Sequence, residues 1–212
     1  TVYLCVVSMA LTLIISVPLG IISAVNKNKW LDYIIRVVSL IGNSLPNFFL
    51  ALLLIYVFAL KLNWLPVMGN RAGAKSVILP SVTLAVAMSS RYISQIRTAV
   101  INELDKPYVN GARARGVSEG TILIRKSAML TVSTLLALSA GSLLGGTAIV
   151  ESIFMWDGVG KMAVDAITMR DYPIIQVYVI WMAVIYVIVN LITDIGYHYL
   201  NPKIRVAGTD EA

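Results

Sequence analysis

The chain has 212 residues, 58% of them hydrophobic and only 13% charged, whereas a soluble domain is about half apolar and about a quarter charged; soluble enzymes and disordered chains are excluded together. Seventeen basic against eleven acidic residues give a net charge of +6, which suits nucleic acid only if the cations share a water-facing surface. A single cysteine, Cys5, and a single histidine, His198, exclude an internal disulfide and a Cys/His metal centre built by this chain alone.

The chain opens at Thr1 inside an apolar run with no Met and no basic leader, which reads as a fragment of a longer protein. About 20 apolar residues cross the roughly 30 Å of hydrocarbon in a bilayer. Five stretches reach that scale: Thr1–Val25, Val38–Leu60, Val77–Thr98, Ser127–Val150 and Ile174–Ile195. They lack the polar alternation of a membrane barrel, so the expected class is all-α, one polytopic domain over residues 1–212. Segments 26–36, 91–126 and 197–212 hold 12 of the 17 basic residues, and 61–76 with 151–173 hold the other 5. The two groups alternate between the sides, so the first group is assigned to the cytoplasm together with the C-terminus, and nucleic acid is not an expected partner.

Pro46, set between Asn43-Ser44 and Asn47 in the second span, removes a ladder hydrogen bond and predicts a kink. Arg91 and Asp194 are the ionisable residues nearest the hydrocarbon, both toward cytoplasmic ends where hydration is within reach. The cytoplasmic loop 99–126 centres on Tyr108-Val-Asn-Gly-Ala-Arg-Ala-Arg-Gly-Val-Ser118. Small Ala112 and Ala114 with cationic Arg113 and Arg115 read as a short helical turn, and Gly116 supplies a left-handed cap. A new helix is expected to start at Ser118. In the fourth span Gly141, Gly145 and Gly146 form a small-residue face for helix packing. The outer segment 151–173 carries an amphipathic stretch, Val159–Met169, whose Met162 and Met169, with Met155 before them, read as apolar packing rather than metal ligands. Gly158-Val-Gly-Lys161 imitates the end of a phosphate loop, but Met155 and Met162 replace the required Gly and Ser/Thr.

The loop YVNGARARGVSEG resembles the signature loop of binding-protein-dependent ABC importer permeases of the oligopeptide, dipeptide and nickel group. Val150-Glu-Ser-Ile-Phe154, Gly158-Val-Gly160, Arg170-Asp-Tyr-Pro-Ile-Ile-Gln176 and Asn201-Pro-Lys-Ile-Arg205 fit the same group across essentially the whole chain. Aligned on Gly116, Asn110 and Gly111 stand where the general pattern has Glu-Ala, and Asp157 and Thr134 stand where the group usually has proline.

The resemblance implies a type I importer permease with six spans in the full chain, five of them here. It further implies that Tyr108, Ala112, Arg113, Ala114, Arg115, Gly116 and Ser118 couple to the ATPase, and that Glu151, Phe154, Gly158, Gly160 and Asp171 belong to the external gate and binding-protein dock. The implied partners are a second homologous permease, two cytoplasmic ATPase subunits or domains, an extracytoplasmic substrate-binding protein and the lipid of a bacterial inner membrane. The chain itself is expected to be no enzyme and to hold no cofactor, ATP and Mg being bound by the ATPase subunits. Cargo is expected to be peptide or a nickel or other metal complex, carried by alternating access. A secondary transporter or channel independent of ATP is the rival; it predicts internal repeats, and the two halves show none. A membrane-embedded enzyme needs convergent polar groups that the spans lack.

Overall fold

A computed structural model describes residues 1–67, 69, 73–117 and 147–200, with backbone alone for 193, 194 and 196–200. The described residues are helical and include no strand. Helix α1 spans Val2–Val25, α2 Trp30–Ser44 and α3 Asn47–Leu54, which continues as a wider π turn over Ile55–Lys61. Helix α4 runs Ile78–Leu104 and α5 Pro107–Ala114. After a helical stretch over residues 147–153 come α6, Val159–Met169, and α7, Tyr172–Leu200.

The pair α1 and α4 forms the frame. Leu4, Ser8, Thr12, Ser16 and Gly20 recur every fourth residue on the buried face of α1, so one line of mostly small side chains lies along one side of the helix and lets a neighbour come close. The neighbour is α4, running in the same direction. Leu4 clusters with Val77, Leu79 and Leu84 at one end, and Ala24 clusters with Tyr92, Ile96 and Val100 at the other. At Gly20 the approach is close, since a Cβ there would lie 2.7 Å from the Cβ of Ile96. Thr12 donates its hydroxyl to the Ser8 carbonyl at 2.7 Å, keeping that polar group satisfied inside the helix pair.

The second expected span departs from the prediction. Its helix begins at Trp30, inside the segment 26–36 read as loop, because Asp32 and Arg36 sit on an otherwise apolar helical pattern. At Leu45, which precedes Pro46, the backbone turns extended with φ −79° and ψ 127°, as proline's ring demands of its predecessor. The chain then resumes as α3 at an angle of 98°. The kink expected at Pro46 is thus a full corner: the span read over Val38–Leu60 is two helices, the first of which begins eight residues earlier.

The third span extends to Leu104, and the last extends from Tyr172 to Leu200. Residues Tyr172–Ile192 have no buried position; a helix apolar on all sides suits a lipid or partner-covered location. The fourth span, Ser127–Val150, lies mostly outside the described residues, as do Ser118, Thr134, Gly141, Gly145, Gly146 and Asn201–Arg205. The side chains of Asp194 and His198 also lie outside them.

Candidate functional site

Helix α5 follows α4 after two residues. Lys106 is its extended N-cap, and Pro107 occupies the first turn, where its missing N–H costs nothing and its fixed φ favours the helix. Glu103, on the last turn of α4, accepts hydrogen bonds from both Lys106 Nζ and the Tyr108 hydroxyl. One carboxylate thus ties the end of α4 to the start of α5. Burial, reinforced by Glu103, raises the Tyr108 phenol to about 12, so at neutral pH it is the protonated donor. The neutral phenol's contribution is complete below its ordinary value near 10 and is lost as pH rises toward about 12. We expect Tyr108→Phe to raise hydrogen exchange of the α5 amides by about tenfold, the scale of one charge-assisted bond; unchanged exchange contradicts the brace.

The far end of α5 closes on a left-handed glycine. Gly116 has φ +76°; its N–H bonds to the Arg113 carbonyl at 2.9 Å, and the Val117 N–H reaches back to the Ala112 carbonyl at 3.2 Å. This paired 5→2 and 6→1 arrangement is the Schellman cap, which satisfies carbonyls that the helix end leaves open.

Between its two fixed ends α5 has two faces. Val109 and Ala112 are buried and pack with Leu104 and Tyr108; Asn110, Gly111, Arg113 and Ala114 are exposed. Ala112 and Ala114, two residues apart, therefore point to opposite sides, Ala112 seating the helix on its own chain and Ala114 facing outward. Arg113 Nη1 lies 3.3 Å from Asn110 Oδ1, and Arg115 Nε donates to the Gly111 carbonyl at 3.2 Å. Both residues are exposed.

Above α5 a buried ion pair joins three helices. Asp32 has no exposed surface and accepts hydrogen bonds from Arg97 Nε and Nη2, each at 2.7 Å. Ser23 Oγ at 2.6 Å and the Asn28 N–H at 3.0 Å complete its shell. The ends of α1 and α2 are thereby fastened to α4 about two turns before α4 ends. Sequence reading singled out neither residue: they lie 65 positions apart, and Arg97 reads as one more topology cation.

At the opposite end, Glu151 is fully buried and its Oε2 accepts the Lys161 N–H at 3.0 Å. That N–H is one of the open donors in the first turn of α6, so the carboxylate caps the helix and meets its positive end. The glycines make room for it. A Cβ at Gly158 would collide with the Glu151 carboxylate, and one at Gly160 would lie 2.7 Å from the Ala148 Cα and 2.8 Å from Glu151 Oε2. Phe154 is buried with Trp156 in the core at this end. Asp171 is half-buried, and its Oδ1 meets the Ile174 N–H at 3.3 Å at the start of α7. The structure thus brings Glu151, Gly158 and Gly160 together in one capping cluster, with Glu151 and Gly160 buried and Gly158 half-buried. Among the described residues no three His, Cys, Asp or Glu side chains converge as a metal site.

A family model described as "Binding-protein-dependent transport system inner membrane component" matches residues 16–206. The glutathione transport system permease protein GsiC of Escherichia coli strain K12 is 38% identical over 208 residues, covering 97% of this chain and 68% of the relative. GsiC of Shigella flexneri serotype 5b is 37% identical over the same length. Among solved structures, an inward-facing conformation of the MetNI methionine ABC transporter superposes with a TM-score of 0.75 at 14% identity, covering 94% of this chain and 92% of that one; this shows the shared fold.

Proposed function

This chain belongs to the family of binding-protein-dependent transport system inner membrane components, and from that membership we propose how it works. It is a membrane permease subunit of an ABC importer. In our reading α5 is the coupling helix: it seats in a cleft of a separate ATPase subunit, which binds ATP and Mg and performs all hydrolysis. The supporting observation is that α5 is fastened at both ends, by Glu103 and by the Gly116 cap, while Asn110, Gly111, Arg113 and Ala114 remain exposed. A helix held this way transmits a push instead of fraying.

The excess of Lys and Arg around α5 and in the C-terminal segment supports a cytoplasmic location for both. The Glu151 cluster then lies outside, where it holds α6 in position for an extracytoplasmic binding protein. By sequence pattern alone we assign Ser118 to the coupling segment and Gly141, Gly145 and Gly146 to helix packing. Two permeases, this one and a homologue, enclose the path, and two ATPase subunits or domains complete the importer.

We take the cargo to be a small peptide. GsiC, by its name a glutathione permease, supports that choice, and no metal-ligating cluster among the described residues favours nickel. Uptake by proteoliposomes holding the assembled importer tests this. With the binding protein outside and ATP inside, radiolabelled glutathione or a dipeptide is expected to accumulate and Ni²⁺ is not; accumulation of Ni²⁺ alone reverses the assignment.

A further inference from the structure

Between α2 and α4 lies a groove of about 510 Å³. Its lining includes Arg36, Ser39 and Asn43 from α2 and Arg91, Ser94 and Gln95 from α4. Among the described residues no carboxylate lines it. Neither Arg36 nor Arg91 makes a hydrogen bond or ion pair with any described residue, in contrast to Arg97, whose guanidinium is consumed by Asp32. Ser39 is only 3% exposed, and its Oγ has no hydrogen-bond partner, although a buried hydroxyl normally finds one.

The groove lies deeper than the ion pair. Arg91 stands six residues before Arg97 on α4, about 9 Å further along the axis, and Arg36 stands one turn beyond Asp32 on α2. Exposed guanidinium and amide groups at that depth do not face hydrocarbon; they line water or bind a ligand. Thr98 and Asn102 continue the exposed polar line of α4 toward α5, as a path leading to the cytoplasm requires. The floor is fixed by close contact, since a Cβ on Gly42 of α2 would collide with Ser90 Oγ of α4.

We propose that Arg36 and Arg91, with the Ser39 hydroxyl between α2 and α4, form an anion-binding station on the cytoplasmic half of the path that takes a carboxylate of a small peptide cargo. This deepens the peptide-importer reading and rests on it. Two unpaired guanidinium groups favour a carboxylate by forked hydrogen bonds and repel a free divalent cation.

The test is equilibrium binding of radiolabelled glutathione, without binding protein, to the nucleotide-free importer complex in phosphatidylcholine nanodiscs. We expect saturable binding that weakens with salt and is not competed by Ni²⁺. Affinity falls about tenfold in Arg36→Gln and again in Arg91→Gln, the scale of one charge-assisted hydrogen bond each, and is partly kept in the Lys variants. Absence of saturable binding to the unaltered complex, or equal affinity in the double Gln variant, overturns the proposal. So does retention of added phosphatidylglycerol by the unaltered complex but not the double variant, with no competition by glutathione; the arginines then hold lipid headgroups. Stimulation of ATPase activity by loaded binding protein, measured on the unaltered complex in the same discs, tells the two readings apart: if it is present while the station fails, the importer assignment stands, and if it is absent, that assignment fails as well.

Discussion

Replacing Gly116 with valine is expected to lower uptake by about tenfold or more while the protein still inserts in the membrane. At φ +76° any L side chain costs about 1–2 kcal/mol, and a β-branched one is a genuine outlier. No heavy atom of the described residues lies within 4 Å of a Cβ built there, and this penalty is the conformational one. The Val117 and Gly116 N–H bonds to Ala112 and Arg113 open together, and the exposed face of α5 loses its fixed orientation. Since about 1.4 kcal/mol is a factor of ten in population, the coupled conformation becomes a minor one. Gly116→Asn, which tolerates the left-handed region, is expected to retain most of the uptake. Uptake assays paired with quantification of the protein in membranes check this; normal uptake by the valine variant contradicts it.

Breaking the Asp32–Arg97 pair from either side is expected to destabilise the protein by about 3–5 kcal/mol, because the surviving charge stays buried without its partner. Arg97→Met is the harsher change, as it strands a carboxylate with no exposed surface that keeps only the Ser23 and Asn28 donors. Asp32→Leu leaves a guanidinium whose side chain is 17% exposed and can reach water in part. The double variant Asp32→Leu/Arg97→Met removes both charges and is expected to recover much of the loss, as apolar replacements of buried pairs do. Thermal unfolding of the purified complex in detergent reads all three; single variants as stable as the parent contradict the role assigned to the pair.

Features set by local chemistry were legible in the sequence. The apolar runs gave α1, α4 and α7, Pro46 marked a break, and Val159–Met169 folds as a helix with the expected bounds. Gly116 adopts the left-handed conformation its place after two arginines suggested. What escaped notice depends on distant pairing. Residues 30–36 looked like loop because Asp32 and Arg36 are charged, yet Asp32 is bound across 65 positions by Arg97. The line Ser8, Thr12, Ser16, Gly20 has the period of a packing face, but its partner could be found only in three dimensions. Glu151 reads as an external acid, and only the helix it caps accounts for its burial. Alternate residues such as Ala112 and Ala114 look equivalent in a short motif, whereas helical geometry turns one inward and the other outward.

The measurement that bears most directly on the importer assignment is ATP hydrolysis by the complete complex in lipid, with empty and with peptide-loaded binding protein. If this chain couples delivery of cargo to ATP through α5, loaded binding protein stimulates hydrolysis, and Gly116→Val abolishes the stimulation while the ATPase subunits remain bound. A complex that hydrolyses ATP at the same rate with and without loaded binding protein, or one in which the valine variant responds normally, contradicts coupling through α5.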